Sequence, residues 1–138
     1  MAEFGIAVAT FYGDLAEQLV GGATEVFDEA GHSVVVHEVP GAFELPLAAK
    51  YLAESGRFAG VACLGAVIRG ETSHYDYVCE SAASGILRVG LDTGVPCAFG
   101  VLTVENMDQA LARLGEKRHQ GKDAAHAVMH MASLRESL

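Results

Sequence analysis

Arg69-Gly70-Glu71-Thr72-Ser73-His74 puts a guanidinium, a glycine, two hydroxyls and an imidazole side by side in the chain. Glycine lets a ligand approach the backbone. The amides at a helix N-terminus bind anions, and Thr72 or Ser73 can cap such a helix. His74 at that place can move protons near neutral pH. The set points to phosphate binding coupled to acid–base chemistry. A plain strand–turn–helix junction is the structural alternative, with Ser73 and Asp76 spaced as a capping box. Arg69 and His74 flank the turn at the end of an otherwise apolar strand, and that favours function.

Other residues carry two readings each. Glu44 follows Pro40-Gly41-Ala42-Phe43 and precedes Leu45-Pro46. It is either a carboxylate favoured by the helix dipole or an acceptor for ligand hydroxyls on a stiff segment. Phe11 follows a strand and is either a staple on the next helix or a platform for a flat heterocycle. Phe99 lies within a strand, where core packing is the default. Arg113 sits near a helix end, where a cation meets the negative pole of the dipole; beside the glycine turn it would bind phosphate. His126 and His130 are one helical turn apart, but with no third ligand in view they read as a solvated face rather than a metal site.

These residues must be positioned by strands alternating with helices. Apolar 5–9 reads as a strand, and Leu15, Leu19, Ala23, Val26, Phe27 and Ala30 recur at helical spacing up to Gly31. Residues 33–39 are β-branched and form a strand. A helix over 43–55 carries Pro46 in its first turn, where the missing N–H does no harm. Residues 60–68 are almost wholly apolar, as in a parallel strand covered on both faces. A helix over 73–91, a strand over 95–102 and a helix over 105–114 follow. A polar connection at 115–121 leads to a last helix over 122–138, burying Ala124, Ala125, Val128, Met131 and Ala132. The order implies an α/β fold, a parallel sheet with helices on both faces. Residues 1–138 read as a single domain, and the ligand edge lies beyond the carboxyl ends of the strands.

Composition narrows the class. The chain has 138 residues, is 51% hydrophobic and 20% charged, and carries a net charge of −9. A compact fold is implied, and general nucleic-acid binding is not. No apolar run approaches the roughly 20 residues of a membrane span, and no signal peptide is visible, which suggests a cytoplasmic protein. Cys63, Cys79 and Cys97 lack Cys-x-x-Cys spacing and read as inert thiols in a reducing compartment.

Gly65-Ala-Val-Ile-Arg-Gly-Glu-Thr-Ser-His-Tyr-Asp-Tyr-Val78 closely resembles the signature of the lumazine synthase family of riboflavin biosynthesis. Val39-Pro-Gly-Ala-Phe-Glu-Leu-Pro46 and Phe99-Gly-Val-Leu-Thr103 are similar to two further motifs of that family, in the same order. The resemblance runs from about Ile6 to the C-terminus. It implies a three-layer α/β/α sandwich, flavodoxin-like, with a four-stranded parallel sheet of order 2-1-3-4. It also implies an enzyme that condenses 5-amino-6-(D-ribitylamino)uracil with 3,4-dihydroxy-2-butanone 4-phosphate, without metal or cofactor. Under it, Phe11 stacks on the pyrimidine. Ala42, Phe43, Glu44, Ala66, Val67, Ile68 and Phe99 surround the pyrimidine and its ribityl chain. Gly70, Glu71, Thr72 and Arg113 hold phosphate, with Asp123 supporting the arginine, and His74 moves protons.

The family's sites lie between adjacent subunits of a pentamer, and twelve pentamers build a 60-subunit icosahedral shell in some members. Phe99 and Arg113 would then serve a neighbour's site. Two departures stand out. Gln120-Gly121-Lys122-Asp123 replaces a Lys-Gly-x-Glu pattern, so the usual lysine is lost to Gln120 or displaced to Lys122. The chain also begins almost at its first strand, where relatives often carry a longer arm. Competing readings are the related archaeal-type riboflavin synthase, a non-catalytic flavin-binding or shell-forming relative, and a generic flavodoxin-like FMN binder.

Overall fold

A computed structural model describes residues 2–138. Four strands, β1 (Glu3–Ala9), β2 (Ser33–Val39), β3 (Val61–Ile68) and β4 (Cys97–Val104), alternate with helices α1 (Gly13–Glu29), α2 (Leu45–Glu54), α3 (His74–Thr93) and α4 (Met107–Ala112). The last helix, α5, spans Gln120–Ser137. All strand pairs are parallel, in the order β2-β1-β3-β4. The α/β sandwich and its strand order are as expected.

Each face of the sheet has its own core. Phe4, Ile6, Val8, Leu64 and Leu102 point to one side, where α1 and α5 bury Leu15, Leu19, Phe27 and Val128. Phe4 and Phe27 stack there with ring centroids 4.8 Å apart. Ala7, Ala9, Val61, Cys63 and Val101 face α2 and α3, which contribute Leu45, Ala49, Ala82 and Ile86. Side chains therefore alternate across β1 and β3 while both faces stay apolar, the mark of covered parallel strands. β4 is an edge strand, and Phe99 upon it is 37% exposed rather than core. Burial of Cys63 pushes its thiol far up, and burial raises Cys97 to about 11, so both are unreactive at neutral pH.

Most boundaries move for local reasons. The segment expected as one helix over 43–55 opens with a 3-10 turn, Ala42–Glu44, before α2. α3 continues to Thr93, where Gly94 closes it in the left-handed conformation at φ 72°. α4 is shorter than 105–114 because Asn106 caps it, its Oδ1 accepting from the Gln109 amide at 2.9 Å. α5 starts two residues before Lys122 because His119 is its N-cap. Along α5, Ala124, Ala125 and Val128 are buried and Ala132 packs at the core's margin. Met131 is 49% exposed, against expectation.

Candidate active site

The strand order reverses direction between β1 and β3, and the crevice beyond their carboxyl ends is where such sheets bind ligands. A cleft of about 660 Å³ lies there. Ala66, Val67 and Ile68, the last residues of β3, line its base. Phe11 and Tyr12 come from the β1–α1 connection, and Gly41 to Glu44 from the turn after β2. The opposite wall is Gly70, Thr72 and His74, backed by Tyr75, Tyr77 and Val78 of α3.

Phe11 is 75% exposed and touches Tyr12 edge-on, with centroids 4.9 Å apart. It is therefore no staple on α1; an aromatic face stands free at the cleft. Glu44 has a definite structural duty. Its Oε1 accepts from the Gly41 amide at 3.0 Å, while its own amide donates to the Gly41 carbonyl at 3.2 Å. This reciprocal pair holds the 3-10 turn and turns a carboxylate toward the cleft. The structural and ligand-binding readings of Glu44 are thus compatible, since the other oxygen has no partner among the described residues.

The glycine turn differs from expectation in its details. Ser73 holds the N-cap position of α3 but its side chain makes no cap bond; of the two expected hydroxyls it is Thr72 whose Oγ1 accepts from the His74 amide, at 3.3 Å. No Ser73–Asp76 capping box forms. Asp76 instead accepts from Arg69 at 3.3 Å. Among the described residues, the amides of Gly70, Glu71, Thr72 and Ser73 meet no protein acceptor, so the turn presents donors to the cleft rim.

Arg69 is a clamp rather than an anion ligand. Its Nε lies 2.7 Å from Glu105, its Nη2 pairs with Asp76, and its guanidinium covers the Tyr75 ring at 4.3 Å. The hydrogen bonds to Glu105 and then Asp76 raise its pKa further, so the charge is permanent and already committed. The Tyr75 hydroxyl is also raised, first by burial and then by its bond with Cys79, which keeps it neutral.

Three expected site residues lie away from the cleft. Phe99 is on β4, Arg113 follows α4 and Asp123 is in the first turn of α5. Glu71 is exposed on the turn without lining the cleft. Arg113 donates from Nη1 to the Gln109 carbonyl at 3.2 Å and has no carboxylate partner among the described residues, Asp123 included. The Nζ of Lys122 faces Glu25 of α1 at 3.6 Å. No lysine or arginine lines the cleft. Among the described residues, no group of histidine, cysteine and carboxylate side chains is placed to hold a metal ion.

Tyr12, Gly41, Tyr75, Tyr77 and Val78 also line the cleft, although sequence reasoning assigned none of them an individual role. Two of the tyrosines had a signal in the sequence, since Tyr75 and Tyr77 lie one and three residues after His74 and a helix start exposes its first turn. Val78 is reached one helical turn later than His74, a spacing visible only once the helix boundary is known.

Residues 1–136 match the family profile of 6,7-dimethyl-8-ribityllumazine synthase. The synthase of that name from Salinibacter ruber is 45% identical over 95% of this chain and 86% of its own. The Syntrophus aciditrophicus synthase is 48% identical over 96% and 88%. A chloroplastic synthase from Spinacia oleracea is 46% identical over 95% of this chain and 60% of its own length. With a match over residues 1–136 and an open cleft built from two of its three motifs, this chain belongs to the 6,7-dimethyl-8-ribityllumazine synthase family.

Proposed function

We propose that the cleft forms 6,7-dimethyl-8-ribityllumazine from 5-amino-6-(D-ribitylamino)uracil and 3,4-dihydroxy-2-butanone 4-phosphate. This is the penultimate step of riboflavin biosynthesis, and residues 1–138 form a single domain. The observation that carries the assignment is the full-length family match over a cleft with an aromatic face, a carboxylate and an anion-ready turn.

In this reading, Phe11 stacks on the pyrimidine, and Glu44 accepts hydroxyls of the ribityl chain. Ala42, Phe43, Ala66, Val67 and Ile68 enclose both. Gly70, Glu71 and Thr72 donate to the phosphate. The uracil's amino group attacks the ketone and water leaves as the imine forms. Phosphate then departs by elimination, and the ribitylamino nitrogen closes on the remaining carbonyl with loss of a second water. Each step moves a proton, and His74 at the α3 N-terminus is the group to carry it. Holding two substrates together supplies much of the remaining acceleration.

The cleft has no cation of its own, yet it is to receive a phosphate. Arg113, without a carboxylate partner among the described residues, and the partly exposed Phe99 stand elsewhere on the same chain. A homo-pentamer with sites between adjacent subunits reconciles these facts: Arg113 and Phe99 complete a neighbour's cleft, with Asp123 near the arginine. Twelve such pentamers form the 60-subunit shell of the larger reading. The enzyme works in the cytoplasm on small molecules, without nucleic acid.

Mixing both substrates with the assembled protein yields a lumazine with its own absorbance and fluorescence. A rate no higher than the spontaneous one rejects the assignment, and riboflavin formed from lumazine alone would instead reveal a riboflavin synthase. Arg113→Ala raises the KM for the phosphate substrate about tenfold or more, as loss of a charged hydrogen bond requires. An unchanged KM removes Arg113 from the site.

A further inference from the structure

We propose that His119 is a positioning residue for Arg113: its imidazole latches the α4–α5 connection onto α1. The inference rests on the reading of Arg113 as the phosphate counter-charge. Three sets of contacts on different elements support it.

First, His119 Nδ1 accepts from the Lys122 amide at 3.3 Å and so caps α5. Only an imidazole with an unprotonated Nδ1 can do this. Secondly, the ring lies in a notch of α1 that exists because residue 22 is glycine. A Cβ there would sit 2.3 Å from the ring's Cε1 and 2.7 Å from Nδ1. The start of α5 is equally tight, since a Cβ on Gly121 would come 2.3 Å from the Leu19 carbonyl oxygen. Thirdly, the connection is closed on itself next to the ring. Leu114 and His119 form an antiparallel bridge, and the Gln120 amide donates to the Arg113 carbonyl at 2.9 Å. The backbone of Arg113 is thus tied, through one bond, to the residue following the docked imidazole.

Protonation would undo the latch, because Nδ1–H then confronts the Lys122 N–H. The charged groups around the ring are Glu25 from α1 and Lys122 and Asp123 from α5. The two carboxylates favour the imidazolium, whereas burial, the largest effect, and Lys122 disfavour it; the net direction is down from the ordinary histidine value. A histidine depressed in the folded state gives its stabilisation fully above the unfolded value of about 6.5 and loses it as pH falls through the folded one. Arg113 is therefore held at neutral pH and released on acidification.

The test measures kcat and KM for 3,4-dihydroxy-2-butanone 4-phosphate across pH on the assembled enzyme. It adds hydrogen exchange at the Gln120 and Lys122 amides, which needs no substrate. His119→Ala raises KM about fivefold, the scale of a lost N-cap, with kcat little changed. His119→Asn keeps a capping oxygen without titrating. It restores KM and abolishes the rise in KM on acidification that the parent shows. Gly22→Ala, which pushes on the ring from another helix, behaves like His119→Ala. Faster exchange of both amides in His119→Ala is expected, and unchanged exchange overturns the latch. So does a KM for His119→Ala equal to the parent's when Arg113→Ala raises it. Altered exchange with Arg113→Ala leaving KM untouched would instead reject the role of Arg113, and with it the positioning claim, while the latch itself stood.

Discussion

Gly70 has an ordinary backbone conformation, and a Cβ built on it meets nothing within 4 Å. The fold of the single chain therefore makes no demand for glycine there. Gly70→Ala is expected to melt like the parent yet to raise the KM for the phosphate substrate; a lowered melting temperature with KM intact would place the glycine in the fold instead. His74→Ala should lower kcat about a hundredfold, at the low end for acid–base catalysis, and leave both KM values near the parent's. Equal turnover would exclude imidazole from the chemistry. At this scale the sequence was legible in placement: His74, Phe11 and Glu44, singled out by their chemistry, all line the cleft. It left Arg69 without a role beyond flanking the turn. The two carboxylates that consume it, Asp76 and Glu105, are far apart in sequence, and only the fold brings Glu105 to it. Thr72 and Ser73 were equal candidates for the capping hydroxyl in the sequence; backbone geometry decides between them, and the Thr72 hydroxyl is the one in reach.

Arg69 leaves the end of β3, Asp76 belongs to the first turn of α3, and Glu105 directly follows β4. The clamp therefore fixes where α3 begins, and with it the direction of His74. Exposed ion pairs of this kind contribute little to global stability, so Arg69→Gln should scarcely move the melting temperature. Turnover should fall nonetheless, since a catalytic group misplaced by about 1 Å costs roughly a hundredfold. Arg69→Lys is not expected to rescue it, because an ammonium cannot hold two carboxylates and cover the Tyr75 ring together. If Arg69→Gln keeps full kcat, the start of α3 is set by Thr72 alone. Element order was readable from alternating apolar strands and 3.6-residue periodicity. The ends were less so, because helices here start where side chains cap them. Asn106 is a common capping residue and could have been recognised. His119 is not, and its role depends on a notch in α1 that sequence pattern does not describe.

Across the whole molecule, charge and exposure are distributed as if the site were divided. The protein carries a net charge of −9 and no lysine or arginine lines the cleft, while Arg113, one of three arginines without a carboxylate partner among the described residues, stands after α4 on the edge-strand side. A monomer with this surface would hold a phosphate by amides, one hydroxyl and one imidazole alone. The resemblance supplied the idea of sharing between subunits, which periodicity could not, because both the apolar edge and the arginine read as ordinary in one chain. Co-expressing His74→Ala with Arg113→Ala subunits separates shared from self-contained sites. If each cleft draws its histidine from one subunit and its arginine from the next, mixed rings regain about a quarter of their sites, those where the intact residues happen to meet. Assayed at low phosphate-substrate concentration, the mixture should then exceed either parent alone. If each chain completes its own cleft, no arrangement of the two variants makes an intact site, and the mixture stays at the average of its parents. Particle mass measured on the same preparation must be that of a pentamer or of a multiple of pentamers. A monomer showing full activity would refute the divided site directly, whatever the mixture did.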